Sequence, residues 1–79
     1  MRIDKYLKVS RLIKRRTTAA EACTAGAVQL NGRTAKPGAE VREGDVLEIT
    51  LGQNVRRVRV LAIAESPRKE DAALMYEEI

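Results

Sequence analysis

A chain of 79 residues has room for one small domain, because a polypeptide of this size buries only about 60% of its unfolded surface. Its 44% hydrophobic content argues for a globular fold over disorder, and no run approaches the ~20 apolar residues of a membrane span. Histidine is absent, cysteine occurs once and the net charge is +4, so the usual zinc sites and the Ser-His-Asp and Cys-His nucleophile arrangements are excluded and an anionic partner is suggested.

Residues 3–13 carry Ile3 and Leu7 at i, i+4 spacing, with Tyr6, Val9, Leu12 and Ile13 beside them. That pattern predicts a short amphipathic helix ending near Ser10-Arg11, with Lys5 and Lys8 on its other side. A second helix is expected from Thr17 or Thr18, where Thr18 and Glu21 match a capping box; Ala19-Ala20-Glu21-Ala22 favours helix and Gly26 stops it. Arg15 and Arg16 then precede that helix, at its positive end, where a phosphate would meet two guanidinium groups and free backbone N–H groups.

After Gly26 the hydrophobic period becomes two. AVQL-NG-RTAK predicts a hairpin with Asn31-Gly32 at its turn, because both central positions of such a turn need positive φ. Turns at 36–38 and 42–45 lead into VLEITL (46–51), with Leu47, Ile49 and Leu51 on one side. Gly52-Gln53-Asn54 turns the chain into VRRVRVLAI (55–63), where Val58 and Val60 alternate with Arg57 and Arg59. Beyond Ser66-Pro67, RKEDAALMYEEI reads as a terminal helix with Pro67 in its first turn and Leu74 and Met75 facing the sheet. The expected class is α+β: two helices on a small antiparallel or mixed sheet, then a short C-terminal helix.

Charge is unevenly placed. Residues 1–36 hold nine basic and two acidic residues, whereas residues 37–79 hold six basic and nine acidic ones. The candidate anion-binding residues are Arg2, Lys5, Lys8, Arg11, Lys14, Arg15 and Arg16, with Lys36 after the hairpin. A solvated helix face is the alternative for the N-terminal run. Asp4 reads as the partner of a nearby Arg or as a helix-start charge, and Arg56, Arg57 and Arg59 as a strand face balanced by Glu48. Tyr6 and Tyr76 are core or rim residues, and Cys23, among small residues, is a packing cysteine or a reactive thiol. The carboxylate pairs lie near the C-terminus, and no glycine-rich phosphate loop is present. No enzymatic activity, cofactor or metal is expected. The N-terminal charges have no apolar segment behind them, so the cytoplasm is the expected compartment and a monomer the expected state.

The stretch RIDKYLKVSRLIKRRTTAAEACTAGAVQLNGRTAKPGAEVREGDVLEI resembles the ribosomal-protein S-four-type RNA-binding domain, also called the αL motif. Its landmarks stand here as Arg2-Ile3-Asp4 with Leu7, Arg16, Gly26, Val28 to Gly32, and Gly44-Asp45 with Leu47. The match covers residues 1–63, leaving 64–79 as a helix packed on or extending that domain. RIDKYLKVSRLIKRRT is most similar to the stand-alone heat-shock-protein-fifteen and RqcP-like family. The resemblance implies a factor of ribosome-associated quality control that binds large-subunit rRNA and P-site peptidyl-tRNA on obstructed large ribosomal subunits. It also implies a tailing factor of the RqcH type on the same particle, extending the stalled chain with alanine without mRNA. An rRNA-binding assembly factor, or an adaptor using the C-terminal helix, stands as the alternative. Within the motif Arg2 and Arg16 are the foremost contacts. With two Tyr and no Phe or Trp, the aromatic platform of a sheet-type RNA reader is missing, so backbone and shape outweigh base sequence.

Overall fold

The computed structural model describes residues 1–79. Helices α1 (Ile3–Val9) and α2 (Arg16–Thr24) precede strands β1 (Val28–Leu30), β2 (Arg33–Thr34), β3 (Val46–Leu51) and β4 (Asn54–Val60). A four-residue helix α3 (Lys69–Ala72) and a last strand β5 (Tyr76–Glu78) complete the chain. The strands form one antiparallel sheet in the order β2-β1-β3-β4-β5. The α+β class and both N-terminal helices agree with the sequence.

Alternation decides what the sheet buries. Val28 pairs with Ile49, and Leu47 lies between Leu30 and Val58. These residues meet Ile3, Tyr6 and Leu7 of α1 and Ala19 and Cys23 of α2 in one core. The other sheet face carries cross-strand ion pairs: Arg57 with Glu48 at 3.6 Å and Arg59 with Glu77 at 3.7 Å. Glu48 therefore balances Arg57, as its register position suggests.

The Asn31-Gly32 turn forms as read, with φ of 51° and 83°. Asn31 also ties the hairpin to the following turn: its Oδ1 accepts the Val46 N–H at 2.9 Å and its Nδ2 donates to Asp45 at 3.1 Å. Gly26, at φ 80°, ends α2. Its N–H reaches Cys23 O and the Ala27 N–H reaches Ala22 O, the pair of bonds of a Schellman motif.

Several expectations need correction. Helix α2 starts at Arg16, after an extended Arg15, and no side chain caps it. Thr18 and Glu21 lie inside the helix and form no capping box, because Arg16, a better helix former than Thr, joins the first turn. The C-terminal segment holds only one short helix: residues 76–78 instead pair with β4. The free edge of β4 and counterions for its arginines outweigh local helix propensity, and Glu78 engages Arg56. Met75 is buried as expected, but Leu74 is 68% exposed, and Pro67 lies before α3, whose N-cap is Arg68, rather than in its first turn.

Tyr6 locks this C-terminal segment to α1. Its buried hydroxyl donates to Met75 O at 2.7 Å, a carbonyl that also accepts the N–H groups of Leu61 and Ala62. Burial pushes the Tyr6 phenol well above its ordinary value, and nearby Tyr76 adds to the shift. The unfolded chain ionises near pH 10 while the folded chain resists, so stability is intact below about pH 10 and declines above it. Tyr6→Phe should lose about 0.5–1.5 kcal/mol at neutral pH, at the low end because Met75 O keeps two donors. Above pH 10 its urea-unfolding midpoint should fall less steeply than that of the unmodified chain.

Candidate nucleic-acid interface

The first turn of a helix leaves backbone N–H groups without partners. In α1 the loop after the hairpin supplies acceptors: Ile3 N–H reaches Ala39 O at 2.8 Å and Asp4 N–H reaches Pro37 O at 3.2 Å. The Lys5 N–H donates to Asp4 Oδ1 at 2.8 Å. That loop therefore fixes where Arg2 and Asp4 stand.

Asp4 is the centre of the arrangement. Its side chain is 5% exposed, and Arg2 Nη2 lies 3.2 Å from Oδ2 and Arg16 Nη2 3.5 Å from Oδ1. The two guanidinium groups remain 58% and 47% exposed. One buried acid thus brings together two arginines, Arg2 at the N-cap of α1 and Arg16 at the start of α2, each keeping N–H donors for an outside acceptor. Arg2 lies beside Gly38, where an added Cβ would stand 3.9 Å from the guanidinium carbon. The sequence alternative of an Arg partner for Asp4 is therefore realised twice.

The remaining predicted residues fall into four groups. Lys8, Arg11 and Lys14 line one groove, whose other wall is Glu65, Ser66 and Pro67. Arg11 holds the left-handed conformation at φ 64°, closing α1 where a glycine would be easier. Arg15 and Arg16 stand at the start of α2, which has no acidic residue in its first turn. Lys36 belongs to the loop that caps α1: its carbonyl accepts the Ala39 N–H at 2.9 Å. Lys5 departs from the others, since its ammonium is paired with Glu65, whose carboxyl that bond holds below its ordinary value.

Pairing sharpens the charge asymmetry of the sequence. Lys8, Arg11, Lys14, Arg15 and Lys36 have no carboxylate partner, whereas Arg56, Arg57, Arg59 and Arg68 are each paired, leaving Arg42 and Lys69 as the unpaired cations of the second half. Arg33 is a basic residue near this face that the sequence reading passed over. It is exposed, lacks a carboxylate partner and shares a second groove with Lys36. Its place directly after the Asn-Gly turn was the available signal. Cys23 is buried, and burial with the nearby Asp4 charge pushes its thiol up, which suits packing rather than reaction.

Comparison with known proteins places these residues in context. The S4 domain model matches residues 1–47. An RQC P-site tRNA stabilizing factor of Halalkalibacterium halodurans is 52% identical over 98% of this chain and 88% of its own length. A heat shock protein 15 homolog of Aeromonas salmonicida is 38% identical over 99% of this chain and 60% of its own length. The trimeric heat shock protein 15 of Vibrio cholerae superposes with a TM-score of 0.93 at 29% identity, covering this whole chain and 81% of that one.

Asp4→Asn should destabilise the chain by about 1–3 kcal/mol, since it weakens buried charge-assisted contacts to two arginines. Urea unfolding measures this. Unchanged stability would show that Asp4 does not anchor the pair.

Proposed function

The chain belongs to the S4 domain family, and from that membership and its basic face we propose that it is a non-enzymatic RNA-binding factor of ribosome-associated quality control. It binds large-subunit rRNA and P-site peptidyl-tRNA on obstructed large ribosomal subunits in the cytoplasm. There it supports alanine tailing of the stalled chain, with a tailing factor of the RqcH type on the same particle. The relatives named RQC P-site tRNA stabilizing factor support the pathway, being similar along nearly the whole chain.

The observation that carries the binding chemistry is the Asp4-anchored arginine pair, flanked by cations that have no acid of their own. Arg2 and Arg16 offer planar, half-exposed guanidinium groups, the geometry that grips a phosphate through two bonds. Lys8, Arg11, Lys14, Arg15 and Lys36 add charge around them, and Lys5 joins when RNA displaces Glu65. Each neutralised phosphate releases counterions, so binding weakens steeply with salt. No helix of the chain is long and apolar enough to cross a membrane.

Arg16→Ala is expected to weaken binding to purified large subunits about 5- to 100-fold and to reduce the salt slope by about one. Its stability should change by less than about 1 kcal/mol, because the arginine is half-exposed. Asp4→Asn should also weaken binding although it raises the net charge. Tighter binding by that variant would mean that bulk charge, and no shaped pair, drives association. Sequencing the RNA and assaying peptidyl-tRNA in particles captured with the tagged chain separates quality control from subunit assembly: particles without peptidyl-tRNA would favour the assembly role.

A further inference from the structure

The groove at the hairpin edge has a different character from the rest of the basic face. Its floor is apolar and low, formed by Leu30, Ala35, Gly38 and Ala39, while Arg33 and Lys36 stand beside it. No bulky side chain fills it, and its volume of about 620 Å³ accommodates a base with its sugar. Neither cation has a carboxylate partner, and Arg2 adjoins the same loop at Gly38. The groove is therefore continuous with the arginine pair.

We propose that this groove receives one unstacked nucleotide of the bound RNA, its base laid on the Leu30–Gly38–Ala39 surface and its phosphate between Arg33 and Lys36. The proposal rests on the RNA-binding reading above and adds a base-holding site to it. Base stacking needs an apolar surface or a planar group. Neither tyrosine offers one: Tyr6 is buried, and Tyr76 is half-buried with Arg56 over its ring at 5.8 Å. The Arg33 guanidinium supplies a planar partner beside an apolar bed. Two cations without a neighbouring acid suit a nucleotide better than a neutral peptide. Strand β2, although at the sheet edge, spans only two residues and is a short template for an added strand.

The test compares binding of the full chain to single-stranded hexa-adenylate and to an abasic RNA hexamer with the same number of phosphates. The expected result is about 5- to 100-fold tighter binding of the RNA that carries bases. Arg33→Ala should reduce that ratio to near one, with the abasic affinity falling only as one lost phosphate contact would make it. Ala39→Leu, which fills the groove without changing charge, should reduce the ratio while leaving the abasic affinity unchanged. Circular dichroism checks both folds, and Arg33→Ala decides alone if the leucine variant unfolds. Equal affinity of the unmodified chain for both hexamers overturns the nucleotide site, as it would if a peptide were the occupant. Survival of the ratio in Arg33→Ala overturns it too. Binding of neither RNA overturns the RNA-binding reading, and this site with it.

Discussion

Asp4 places a carboxylate at the start of α1 with its side chain almost out of solvent, a position that charged groups seldom occupy unless they are paired. The pairing comes from Arg2 and Arg16, one from each side of α1 in sequence, together with the Lys5 backbone N–H. A carboxylate and two guanidinium groups leave a net positive cluster in one orientation. Without the acid, two like charges in proximity would repel, and each long side chain would sample many rotamers. The acid thus turns a flexible charge density into a shaped donor array.

The same helix is held at its first turn and at its middle by distant parts of the chain. The 37–39 loop accepts its first N–H groups, and the Tyr6 hydroxyl fastens Met75. Ile3, Tyr6 and Leu7 are fully buried in the core with sheet residues. A seven-residue helix is too short to persist alone in water. Its existence, and the direction in which its lysines point, therefore depend on tertiary contacts. Arg11, in a conformation that disfavours side chains by roughly 1–2 kcal/mol, turns the chain sharply and sends Leu12 and Ile13 back into the core.

Much of this was legible because local signals agreed with the fold. Asn31-Gly32, Gly26 and the alternation of Leu47 with Ile49 each specify one geometry, and each appears as read. The C-terminal segment is different. Lys-Glu-Asp-Ala-Ala-Leu-Met has helix-forming composition, and three strand residues give too short a period to detect. Its strand depends on the β4 edge and on Arg56 and Arg59, about twenty residues earlier. Likewise the motif flagged Arg2 and Arg16, yet nothing in their spacing shows that one buried aspartate joins them. Thr18-x-x-Glu21 carried the capping pattern, but the helix starts two residues earlier, at Arg16, whose guanidinium lies 3.5 Å from the Asp4 carboxylate. Arg33 was missed because its significance lies in what does not face it.

The placement of acids explains how a chain with modest net charge presents one cationic side. An RNA surface attracts every exposed cation, whatever element bears it. One-sided docking therefore requires that cations elsewhere be neutralised. Glu48, Glu77 and Glu78 do this along the sheet, each paired with an arginine of β4, and Asp71 does it for Arg68. Two of those glutamates lie on β5, the strand that replaces the expected helix. As strand residues they come within reach of the β4 arginines: Glu77 lies opposite Arg59 in register, and Glu78, opposite Val58, reaches Arg56 diagonally. The C-terminal strand thus completes the sheet and, by the same pairing, confines uncompensated charge largely to the helical face and the hairpin edge.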